Sequence, residues 1–175
     1  LKCDKELLPL GDNLKGEWEI ADITDNTLTL DYCDVYFDGE LKYENLPVSD
    51  VQELACAFKR KVNTKVVFKF NVREKGFKRM ELVVETPEIF DITLNGKPIE
   101  KEIIGYFCDT SFKTVDIYGN VVVGENTLEL TCDFVQSETT YENAEKSLHF
   151  ETEKNKLCYD MEIEAVYLKG DFAVR

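Results

Sequence analysis

The chain has 175 residues, 43% hydrophobic and 32% charged, and its 21 Lys+Arg against 35 Asp+Glu leave a net charge of −14. That length suits one domain burying about 70% of the surface its unfolded chain would expose, and the apolar fraction is too high for a disordered segment. The acidic surplus argues against nucleic acid, whose phosphates need a clustered positive surface, and against an anionic membrane surface.

No apolar run approaches the ~20 residues that span a bilayer. The start, Leu1-Lys2-Cys3-Asp4, has no initiator Met and no signal-peptide pattern. The expectation is one domain, residues 1–175, cut from a larger multidomain protein. Trp18 follows, in Gly16-Glu17-Trp18-Glu19-Ile20. From there the dominant period is two, the mark of half-buried strands. Residues 27–37 alternate over eleven positions as one strand and meet Asp38-Gly39, a hairpin turn pair.

Residues 49–58 break that period. Val51, Leu54, Ala55 and Phe58 stand at helical spacing, and Asp50 with Glu53 can form a capping box. Alternation returns over 64–72, with Val66, Phe68 and Phe70 on one face and Lys65, Val67 and Lys69 on the other. Further strands are predicted over 79–85, 89–95, 112–118, 126–135 and 157–168. Turn chemistry separates them at 71–76, Thr86-Pro87, Asn95-Gly96-Lys97-Pro98, Gly119-Asn120 and Gly124-Glu125-Asn126. Residues 137–147 are polar, a short surface helix or an irregular loop. No helices stand between successive strands to make parallel crossovers, so the fold class is all-β, an antiparallel β-sandwich.

Six cysteines, at 3, 33, 56, 108, 132 and 158, show no C-x-x-C spacing. Three disulfides are permitted by the count, but a domain this size does not need staples. Cys33, Cys132 and Cys158 fall in strand-like apolar patterns, so free, partly buried thiols are the favoured reading, and with no N-x-S/T sequon they point to the cytoplasm.

His149 is the sole histidine, beside a polar segment with no nucleophile motif, so a Ser-His or Cys-His system would rest on it alone. One histidine also removes the common zinc sites. Calcium needs only acidic side chains and carbonyls, for which Asp22, Asp25, Asp31, Asp34, Asp38 and Glu40 stand as candidates; the plainer alternative is a solvated acidic face. No cofactor is implied beyond such a structural calcium. With 35 acidic residues, some carboxylate pair at glycosidase spacing arises by chance and identifies nothing. Aromatic rings remain. Trp18 and Tyr106, the latter after Gly105 at a loop or strand start, can stack on a pyranose, and Asp109 can bond its hydroxyls; the alternative is that both rings pack in the core.

One region carries a specific pattern: Ile92-Thr93-Leu94-Asn95-Gly96-Lys97-Pro98-Ile99, then Gly105-Tyr106-Phe107-Cys108-Asp109-Thr110-Ser111-Phe112, Val115-Asp116-Ile117, and Gly124-Glu125-Asn126-Thr127-Leu128-Glu129-Leu130. It resembles the jelly-roll sugar-binding domain of glycoside hydrolase family two, whose fold is that of galactose-binding domains. Residues 26–33 and 163–174 look like segments of bacterial glycoside hydrolases of the α-L-rhamnosidase-like kind. The resemblance implies a jelly roll that is accessory to a catalytic barrel, with carbohydrate and the catalytic domain of the same polypeptide as partners. It brings no catalytic residue to this chain. Read physically, the same residues make turns, and Phe112, Val115 and Ile117 wedge between sheets while Leu128 and Leu130 point inward.

Overall fold

The computed structural model describes Glu19 and residues 23–174. Eleven strands are described: β1 (Asn26–Leu30), β2 (Tyr32–Phe37), β3 (Glu40–Pro47), β4 (Val62–Val72), β5 (Met80–Glu85), β6 (Asp91–Leu94), β7 (Lys97–Pro98), β8 (Ile103–Phe107), β9 (Asp109–Asp116), β10 (Gly124–Phe134) and β11 (Val166–Gly170). Three helices accompany them: α1 (Val51–Cys56), α2 (Glu138–Ser147) and α3 (Glu151–Lys154). The strands form two antiparallel sheets, ordered β1-β11-β5-β9-β8 and β3-β2-β4-β10-β6-β7.

The sheets face each other as a sandwich, as the period-two pattern predicts. Leu82, Val115, Val166 and Leu168 from the five-stranded sheet join one core with Val35, Val66, Phe68, Leu128 and Leu130 from the six-stranded one. Burying a side chain as fully as Phe68 is worth about 1.5–3 kcal/mol, so these alternating positions supply the main drive for closure.

The predicted strand over 27–37 is two strands. Buried Leu30 is followed by buried Cys33, Val35 and Phe37, so the inward positions change from even to odd at Asp31. A strand cannot shift its inward parity without a break, because side chains alternate strictly. The chain therefore leaves the five-stranded sheet at Asp31, whose carbonyl accepts the Val48 N–H at 2.8 Å, and enters the other. At Asp38-Gly39 both φ angles are positive, as the hairpin turn requires.

Other expectations are corrected. Asp50 caps no amide of α1: its backbone is already helical, and its carboxylate accepts the Ser49 hydroxyl instead. The predicted strand over 157–168 is irregular to residue 165, where its backbone groups bond side chains instead of a neighbouring strand. Gln136 bonds the Met161 carbonyl and the Asp160 amide, and the Ile163 N–H donates to Gln52 of α1. Residues 87–89 form a single 3-10 turn ahead of β6. Val115 and Ile117 are buried as expected, but Phe112 lies on the outer face of the five-stranded sheet against Tyr167, ring centroids 6.0 Å apart. Residues 137–147 resolve to a helix, with the Ser137 hydroxyl accepting the Thr140 N–H.

Candidate functional site

β8 is an edge strand, and β8 and β9 make a hairpin that reverses at Cys108, where φ is +61°. The structure brings two of the three predicted site residues, Tyr106 and Asp109, onto this hairpin. Tyr106 pairs with Lys113 across the hairpin and is 59% exposed, so it is not a core ring. The Asp109 carboxylate accepts the Ser111 N–H at 2.8 Å, and that bond holds its pKa below the usual carboxylate range. Asp109 is thus a fixed anion at the hairpin tip. The third predicted residue, Trp18, lies outside the described residues.

Two charged neighbours had no signal in the sequence. Lys113 is held by both oxygens of Glu88, at 2.9 and 3.0 Å. Glu85, at the end of β5, titrates above its ordinary range, first because burial disfavours its charge and then because Glu164, Glu162 and Asp109 crowd it. Sequence separation hides both arrangements; only the β5–β9 and β8–β9 registers bring them together. Phe107 points to the other face and packs with Tyr167, centroids 6.3 Å apart.

The calcium candidates are dispersed, and most are matched by bases. Asp25 meets Arg79 and Lys169, Asp34 meets Lys69 at 2.6 Å, Asp38 meets Arg60 at 2.7 Å and Glu40 meets Lys42. Asp22 lies outside the described residues, among which no three His, Cys, Asp or Glu side chains gather to hold a metal ion. His149 is exposed between α2 and α3, and the nearby Ser147 hydroxyl donates to the Ala144 carbonyl at 2.7 Å, so it is not aimed at the imidazole.

Cys33, Cys56, Cys108, Cys132 and Cys158 are free thiols. Burial pushes Cys33 and Cys132 up to about 12, which keeps them protonated and inert. Cys158 is exposed in the irregular stretch before β11, not in a strand as its pattern suggested. No helix among the described residues is long and apolar enough to cross a membrane.

A cleft of about 610 Å³ opens at the end of the sandwich away from the β8–β9 hairpin. Its origin is the break at Asp31. β2 pairs with β4 only up to Val67, while β1 has gone to the opposite sheet, so the last turn-ward residues of β4 have β10 on one side and open space on the other. Phe70, Phe77 and Phe172 line this gap, with Asn71, Arg73 and Glu74 among the polar residues that line it with them. Phe77 is fixed by edge contacts to Tyr118 and Phe172, at 5.8 and 6.1 Å, and Lys75 ties the β4–β5 loop to the Tyr118 and Val121 carbonyls at 3.1 Å each.

Neither a family model nor a curated protein matches the chain.

Proposed function

We propose that the chain is a non-catalytic accessory module of a glycoside hydrolase, a jelly roll of the galactose-binding kind that binds carbohydrate. The strand order supports the jelly-roll part. Within the two sheets, β1-β11-β5-β9 faces β4-β10-β6-β7, and the chain crosses between sheets from β4 to β5 to β6, stays for the β6–β7 hairpin, and crosses again to β8–β9, to β10 and to β11, the pattern of an eight-stranded double Greek key. Free thiols suit a reducing compartment, in line with a cytoplasmic location.

The observation that carries the binding reading is the exposed Tyr106 ring on the β8–β9 hairpin, whose tip also holds the fixed Asp109 carboxylate. A buried ring would have meant packing alone. An exposed one offers an apolar face to the C–H side of a sugar, and Asp109 offers acceptors to its hydroxyls. Titration calorimetry with soluble galactan and rhamnogalacturonan tests this. Wild type binds, and Tyr106→Ala weakens binding about tenfold, or ~1.4 kcal/mol. Binding of neither polysaccharide would overturn the reading.

A second reading, an architectural module that packs on the catalytic domain, is favoured by Ile103 and Ile104, which are exposed on the same edge strand. Ile104→Lys would then release the module from its neighbour in the full-length parent without changing the fold of the isolated chain, and unchanged docking would remove the idea.

A further inference from the structure

We propose that the cleft where β1 parts from β4 is a seat for one neutral sugar residue, the end of a glycan chain. This rests on the carbohydrate reading and adds a second place of contact to the Tyr106 platform. The two places lie at opposite ends of one sheet: Met80 lines the cleft, and β5 runs from it to Glu85, by Asp109, about 17 Å away at ~3.3 Å per residue.

The size is right for a small ligand, since pockets for such molecules run from about 300 to 1,000 Å³. Chemistry then narrows the class. Among the described residues, the side chains of Asn71, Arg73 and Glu74 have no hydrogen-bond or ion-pair partner, although each lines the cleft. A purely apolar ligand would strip water from all three and return nothing, which costs free energy for each group. An ion would use one sign and face the other: an anion meets Glu74 and Asp171, a cation meets Arg73. A sugar hydroxyl both donates and accepts. Arg73 supplies donors, Glu74 acceptors and Asn71 one of each, so vicinal hydroxyls satisfy the set. The half-buried Phe172 ring, backed by the buried Phe77, then meets the apolar C–H face.

A cleft closed by core residues at its base favours a chain end over a mid-chain segment, whereas the exposed Tyr106 accepts either. Single-residue probes therefore separate the two places. Amide chemical-shift titrations with methyl β-D-galactoside, methyl β-D-glucoside and methyl α-L-rhamnoside should move signals of residues 70–77 and 171–174. Arg73→Ala, at an exposed position, should weaken the best of these glycosides at least tenfold. Phe172→Ala should do the same, while Tyr106→Ala changes it less than twofold. Shifts confined to residues 104–111, with sensitivity to Tyr106→Ala and not to Arg73→Ala, would overturn the seat and leave the carbohydrate reading standing. Binding of neither glycosides nor polysaccharides would overturn both.

Discussion

At the end of the sandwich that holds the cleft, a buried clasp of neutral hydrogen bonds joins the turns at 95–96 and 122–126. At the other end, beside the β8–β9 hairpin, carboxylates crowd one another. At the cleft end Asn126 is fully buried among backbone groups: its Oδ1 accepts the Val122 N–H and an Asn95 N–H, both at 2.9 Å, and its amide donates to the Val122 and Gly124 carbonyls at 2.8 and 3.1 Å. Asn95, at φ +54° in the Asn95-Gly96 turn, bonds back to the Asn120 carbonyl and the Thr127 amide. One residue thus closes two turns, and nothing in the clasp titrates. Glu85 at the opposite end gains no such partners and is surrounded by like charge. The Asn126 clasp makes the cleft end rigid with no titrating group, whereas charge crowding makes Glu85 at the hairpin end responsive to pH.

The sharpest way to break this contrast is Asn126→Ala. Four groups lose a partner inside the protein, and buried unsatisfied groups cost about 1–3 kcal/mol each when water cannot reach them. Partial relaxation of the loop at 122–124 brings the expected loss to about 3–4 kcal/mol, read from the urea unfolding midpoint at pH 7. A loss under ~1 kcal/mol would show that the clasp is not what closes this end.

Two glycines sharpen it further. A Cβ at Gly170 would sit 2.3 Å from the Arg79 carbonyl oxygen, a backbone atom that cannot turn aside. Gly170→Ala should therefore cost about 3 kcal/mol, as overpacking against fixed atoms does. At Gly105 the nearest atom is the Thr114 hydroxyl oxygen, 3.2 Å away, and a side chain can rotate. Gly105→Ala should cost less than ~1 kcal/mol. Thermal unfolding of both variants gives the comparison directly, and equal losses would refute the difference in rigidity between the ends.

The Asn95-Gly96 turn at the rigid end and the Asp38-Gly39 turn at the other are plain in the sequence because their chemistry is local: all four residues take positive φ. The parity change at Asp31 is also written in residues 28–37, in the step from Leu30 to Cys33, once one looks for inward phase and not for alternation alone. β3 and β8 were illegible for a different reason. Both are edge strands with residues exposed on both faces, so Glu40–Pro47 and Ile103–Phe107 show no period-two contrast. The cleft had no signal at all, because its walls come from β4, the loop after it and the segment after β11, which meet only through sheet topology. The exposure of Tyr106 is likewise a property of its edge position and not of its neighbours in sequence.

The smallest expected effect is the most selective for the hairpin end. Burial and then the charges of Glu164, Glu162 and Asp109 raise the Glu85 pKa above its ordinary value of 4.5. The folded chain therefore holds that proton more tightly than the unfolded chain does. The stability this supplies is full below the unfolded value and is lost as pH rises through the raised folded one. Asp34 has the opposite sign: its hydrogen bond to Lys69 lowers its pKa, so its contribution is present at neutral pH and lost as pH falls. Glu85→Gln removes a crowded charge at neutral pH and changes little where Glu85 is already protonated. Urea unfolding across pH 3–8 should show the variant more stable by about 0.5 kcal/mol at pH 7, a size typical of partly solvated charge pairs, with the gain vanishing near pH 4. A gain that persists undiminished at low pH would mean that shape or hydrogen bonding, and not charge, governs this position.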